Sequence, residues 1–248
     1  MMRPTLLLLT IALHTAALSL AHGQTPPKTK GAVPPPGIAI PDADREALTK
    51  GVEELAAEIQ KIPHRSGTAG SAEDLLPDVE IFLKAVDWPL KYNEFYDVKQ
   101  VASAKALLAE GMARAKALQS GKSPWTSATG PVVRGFRSRI DGSVQPYGIV
   151  VPTTWKAGDT RPRHLYVFNH GRGETTTELS FISGAMKSKG EFSPEDTFVV
   201  HPYGRFCNAS KFAGETDVFE AMAHASANYP IDQNRIAMTG FSMGGASV

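Results

Sequence analysis

Residues 235–247 read Arg-Ile-Ala-Met-Thr-Gly-Phe-Ser-Met-Gly-Gly-Ala-Ser, and the fold turns on how they are read. The short run from Ile236 to Thr239 suits a strand and ends at Gly240. One residue separates that glycine from Ser242, and Gly244-Gly245 follow at once. This is the G-x-S-x-G pattern of a nucleophile elbow, a sharp strand-to-helix turn that holds a serine in a strained conformation. Side chains at Gly240, Gly244 or Gly245 are expected to collide with neighbouring backbone. The amide of Met243, just after the serine, can point at a developing oxyanion.

Glycine is common, so five residues alone would equally describe a Gly/Ser loop. The surroundings favour the elbow. A strand precedes it, small residues suited to close helix packing follow it, and a candidate oxyanion loop lies upstream at His170-Gly171-Arg172-Gly173. That loop directly follows Leu165-Tyr166-Val167-Phe168, a short apolar run typical of a buried strand.

Working outward, the composition excludes several classes. The chain has 248 residues, a net charge of +1 and 42% apolar residues. A core can form, and nothing suggests nucleic acid or acidic lipid as a partner. The single cysteine, Cys207, rules out an internal disulfide and a cysteine-ligated structural metal. A lone thiol near a loop needs no redox role. The seven histidines show no paired metal-ligand spacing.

Residues 1–23 read as an export signal. Arg3 gives the positive start, Leu6 to Leu20 the apolar segment, and Ala21-His22-Gly23 the small residues of a cleavage site. Thr10, His14, Thr15 and Ser19 interrupt the segment, and it is short for a membrane span. Cleavage is expected, leaving no stable membrane insertion and a secreted or periplasmic protein. Residues 24–41 are a Pro-rich linker with few amide donors for regular structure.

A helical region over 42–121 comes next. The first predicted helix carries Leu48, Val52, Leu55, Ile59 and Ile62 at helical spacing, with Asp42 or Asp44 as cap and Pro63 as stop. The second runs from Pro77 until Trp88-Pro89, and the third from about Val98 to Gln119, with Gly121 as its stop. These stripes form core and carry no evident chemistry, so a structural support is the expectation. Over 131–248 the period changes. Pro131–Ile140 and Val144–Pro152 alternate as strands around Asp141-Gly142, a tight-turn signal. Buried-strand runs then alternate with helices at 177–187 and 216–229 before the elbow strand, predicting an α/β sheet that becomes parallel.

The segment from about Val132 to Val248 resembles the α/β-hydrolase superfamily, and within it the secreted prolyl-oligopeptidase-like and dienelactone-hydrolase-like branch. The residues that carry the resemblance are His170-Gly171-Arg172-Gly173, Tyr229-Pro230-Ile231-Asp232 leading to Arg235-Ile236, and Gly240 to Gly245. The resemblance implies Ser242 as nucleophile and the amide of Met243 as one oxyanion donor. The second donor would be Arg172, with Gly171 as the alternative. It also implies acyl transfer on a peptide or ester substrate, needing no metal and no organic cofactor. A prolyl-oligopeptidase-like peptidase is the first expectation. A carboxylesterase acting on polysaccharide-linked or feruloyl groups is the second, and a non-catalytic hydrolase-like binding module the third. His170, His201 and His224 are not expected to be the base, because the family's histidine comes last in chain order. The chain runs only six residues past Ser242. The expectation is therefore a fragment, the N-terminal part of a catalytic domain whose acid and histidine lie downstream. The helical region also departs from the large propeller of prolyl oligopeptidases, which leaves peptide selectivity open.

Overall fold

A computed structural model describes residues 34–63 and 72–248. The export-signal reading of 1–23 and most of the linker lie outside the described residues. Residues 34–41 form no helix or strand, yet they are docked: Ile40 is buried, and Ile38 donates a backbone bond to Phe95.

Among the described residues, three long helices precede the sheet. Helix α1 spans Asp42–Ile59. Its N-cap is Pro41, with no side-chain cap bond, so the expected Asp42 or Asp44 cap is not made. Both aspartates instead sit in the first turn, where the helix dipole favours negative charge. A short helix α2, Ala72–Leu75, precedes α3, Pro77–Tyr92. Helix α3 runs through Trp88-Pro89, where a stop was expected, because the proline removes one internal hydrogen bond without preventing another turn. Asn93, left-handed at φ 57°, ends it. Helix α4 spans Lys99–Gln119, and Gly121 follows at φ 72°.

The sheet starts with β1, Gly130–Arg137, and β2, Val144–Val151, paired antiparallel. Asp141-Gly142 lies in a wider loop over 138–143, closed by Ser138 N–H on Ser143 O at 2.9 Å, so the tight two-residue turn is not formed. The Asp141 carboxylate accepts from the amide and hydroxyl of Ser143 and stabilises this broader loop. Next come β3 (Arg163–Asn169), α5 (Glu178–Ala185), β4 (Phe198–Pro202), α6 (Ala213–Asn228) and β5 (Ile231–Gly240).

The strand order is β1-β2-β4-β3-β5. β2 meets β4 antiparallel, while β4, β3 and β5 run parallel. Strand–helix–strand units on a mixed sheet, with the last strand feeding a serine turn, make an α/β-hydrolase-like fold. The described residues form one compact unit, and one apolar core runs from Leu55 and Phe82 of the helices to Ile149 and Val200 of the sheet.

Asp78 joins helices to sheet. Its fully buried carboxylate accepts from Arg134 Nε at 2.9 and 3.0 Å, from Trp125 Nε1 at 2.8 Å and from the Gly135 amide at 2.7 Å. Burial alone would push the Arg134 guanidinium down, but Asp78, helped by Tyr147 and Tyr229, holds it well above its usual range. Close approach needs Gly135 here, since a Cβ on it would lie 2.2 Å from the Pro77 carbonyl oxygen.

Candidate active site

Parallel pairing of β3 with β5 builds the site. Asn169 sits opposite Gly240, so the loop after β3 and the turn after β5 leave the sheet side by side. The motif before the elbow secures that pairing. Arg235 Nε donates to Asp232 at 2.7 Å, one of its terminal nitrogens lies 2.8 Å from His164 Nε2, and another donates to the Pro162 carbonyl. Asp232 also accepts from the Asn234 amide at 3.0 Å, a side-chain turn at the start of the strand.

Ser242 lies at φ 53°, a left-handed conformation that costs an ordinary L-residue about 1–2 kcal/mol. It is exposed, and no hydrogen bond holds its hydroxyl among the described residues. The turn closes tightly beneath it. A Cβ on Gly240 would lie 2.3 Å from the carbonyl group of Gly244, and one on Gly244 would lie 2.0 Å from Asn169 O. Gly245 is different. Its nearest contact would be 3.5 Å, ordinary van der Waals distance, so the expected collision there is absent. A single 3₁₀ turn, Gly244–Ser247, follows.

The amides of Gly171, Arg172 and Met243 make no hydrogen bond to the described protein, leaving three donors at this end of the sheet. The Arg172 side chain turns to Glu174 at 2.7 Å. Gly171 packs on Phe241, its notional Cβ 3.1 Å from that ring. The loop is anchored at two further points. Cys207 accepts from the Gly173 amide at 3.0 Å and donates to its carbonyl at 2.9 Å. His170 Nδ1 lies 2.8 Å from Gly171 O, and its Nε2 lies 3.0 Å from Tyr203 O. With both ring nitrogens against carbonyls, His170 shapes the loop and has no nitrogen left for a serine proton.

The other two histidines sit elsewhere. His201 lies against Phe168, and burial, with His170 nearby, pushes it down to about 4. His224 lies on α6. It is half-buried against β2, with Nδ1 2.8 Å from the Tyr147 hydroxyl, and burial brings it to about 4.

Sequence reasoning missed Asn169. It is buried, its side-chain oxygen and nitrogen find no partner among the described residues, and it lines a small cavity with Met243 and Asn208 beneath the elbow. Its only sequence signal is its place, directly after a buried-strand run and before His-Gly. Among the described residues, no group of three His, Cys, Asp or Glu side chains could hold a metal, and no helix is long and apolar enough to cross a membrane.

No family model matches the chain, and no curated protein matches it. Among solved structures it is similar to a thermostable esterase, at 23% identity and a TM-score of 0.34. The match covers 47% of this chain and 36% of the esterase, so it spans about a third of that protein. The fold assignment rests on the sheet order and the serine turn, and not on this likeness.

Proposed function

We propose that the protein is a serine hydrolase working by two-step acyl transfer. The observation that carries the reading is Ser242 at φ 53° on a turn whose flanking glycines, Gly240 and Gly244, admit no Cβ. Such a turn fixes a serine hydroxyl at the end of a sheet, where a carbonyl carbon can reach it. In the proposed reaction Ser242 Oγ attacks the carbonyl while a histidine takes its proton. The tetrahedral oxyanion is held by the amides of Met243 and Arg172, with Gly171 as the alternative second donor. The same histidine returns the proton to the leaving group, and water then releases the acyl chain by the reverse sequence. The engagement of His170 and the positions of His201 and His224 support a base other than these three.

A peptide bond is the first substrate class, following the resemblance to prolyl-oligopeptidase-like enzymes. An ester is the second, favoured by the cleft described below. We also infer that the protein is exported, on the strength of residues 1–23. N-terminal sequencing of exported protein should then begin near His22 or Gln24.

A fluorophosphonate probe on the intact protein tests the central claim. Stoichiometric labelling at Ser242 is expected. Ser242→Ala should lower turnover of a p-nitrophenyl ester or a peptidyl-prolyl anilide by roughly 10³-fold or more while the protein stays folded. Absence of labelling would favour the non-catalytic binding module, and turnover near the parent rate in the alanine variant would exclude Ser242 as nucleophile. Turnover of the anilide marks a peptidase, and turnover of the ester without the anilide marks an esterase.

A further inference from the structure

A cleft of about 600 Å³ opens where α3 faces the loops of the sheet, and Ser242 is not one of its walls. Lys84, Trp88 and Tyr92 recur every four residues along α3, so they share one face of the helix, and all three line the cleft. The other face of α3 is core, with Val79, Phe82 and Val86 fully buried. Trp88 and Tyr92, in contrast, are 45% and 53% exposed, with their rings edge-to-face at 6.0 Å. Lys84 Nζ sits over the Trp88 ring at 5.0 Å and Lys91 Nζ over the Tyr92 ring at 5.3 Å, and the ring surface that stays exposed beside them forms a platform for a ligand.

The polar walls narrow the chemistry. Lys84 pairs with Glu178 at 2.7 Å, and Arg205 pairs with Asp141 at 2.6 Å. Glu94 lines the same cleft as a third carboxylate, so an anionic ligand would meet three carboxylates and a cationic one the two cations. A wholly apolar ligand would cover the ion pairs and return no hydrogen bonds. Glu178 is nine-tenths buried, and its second carboxyl oxygen has no partner among the described residues. That oxygen is itself buried, so a water and not a ligand in the cleft would serve it. Ser143 and Gln145 supply further donors and acceptors on the same wall. A ligand with apolar C–H faces, a rim of hydroxyls and no charge satisfies all of these demands together.

We propose that this cleft binds a neutral oligosaccharide, a pyranose face stacking on Trp88 or Tyr92 while hydroxyls reach Ser143, Gln145 and the Lys84–Glu178 pair. Tyr203 and Phe206 line this cleft and also the small cavity beneath the elbow. A bound glycan would therefore lie one side-chain wall away from the serine turn. Where the glycan carries an acyl group, that placement makes a sugar-linked ester the natural substrate. This last step rests on the hydrolase reading, whereas the binding itself does not.

The test is titration calorimetry on intact Ser242→Ala protein, in which hydrolysis cannot intervene, with xylohexaose, cellohexaose and chitohexaose. At least one should bind with a Kd below about 1 mM. Trp88→Ala or Tyr92→Ala should weaken it about tenfold or more, with Trp88→Phe and Tyr92→Phe retaining most of the affinity. Both rings are exposed, and an unchanged circular dichroism spectrum would establish that the variants fold. No binding of any of the three sugars would overturn the proposal. So would binding indifferent to both alanine variants, or binding of free ferulate in place of the sugars. Loss of probe labelling at Ser242 would sink the hydrolase reading and leave this inference standing.

Discussion

At the scale of single residues, the turn separates glycines that look alike in sequence. Gly244 is buried with Asn169 O where a Cβ would go, while Gly245 has room. Gly244→Ala should therefore push the turn off the end of β3, cutting labelling at Ser242 at least tenfold and destabilising the protein by about 1–3 kcal/mol, as overpacking does. Gly245→Ala should change neither by much. Paired denaturation and labelling curves on the two variants check this, and equal damage from both would show that the elbow is not held by contact with β3. The elbow was legible in the sequence because its chemistry and its sterics both reside in consecutive residues. The anchors of the loop after β3 were not. Cys207 reads as a lone thiol, and only the folded chain brings its sulfur to both polar atoms of the Gly173 peptide group.

Single elements show where local signals suffice and where they fail. Every strand expected from an apolar run is present, because a run such as Phe198-Val199-Val200 can be buried on both faces in few other ways. Ends were harder to read. Trp88-Pro89 resembled a stop, yet α3 continues to Tyr92, and this extra turn is what places Tyr92 beside Trp88 in the cleft. Illegible altogether was Asp78. An acid in the first turn of a helix normally reads as a solvated charge on the dipole, but here it is buried with every bond spoken for by β1 and Trp125. Asp78→Ala should cost about 3–5 kcal/mol, since it leaves the Arg134 guanidinium buried without its partner. Urea denaturation checks this. A loss under about 1 kcal/mol would place the pair among surface bridges of little worth.

The whole molecule has an acid sensitivity set by buried titrating groups. His201 and His224 are each held near 4 in the folded chain, below their ordinary 6.5, so the unfolded chain binds more protons between those values. Stability from these two groups is complete above about pH 6.5 and falls as pH drops towards 4. Asp217 acts the other way. Burial, partly offset by Arg205, raises it to about 6, so acidification between 6 and its ordinary 3.8 favours the folded form. Glu178, which burial raises in the same sense as Asp217, also opposes the histidines, and the expectation is a fall in stability between pH 6.5 and 4.5 that the two carboxyls reduce. His224→Gln, which keeps a hydrogen-bonding group towards Tyr147, should flatten the profile. Denaturation midpoints that do not fall on acidification would contradict this balance. The Asp78 carboxylate belongs to the helices, and the guanidinium and amide that it satisfies belong to β1. Melting the helices alone would strand a cation in the middle of the sheet's core. Heating should accordingly give one calorimetric transition across the helices and the sheet. A chain begun at residue 122, which looks from sequence like a clean excision of the sheet half, should fail to refold.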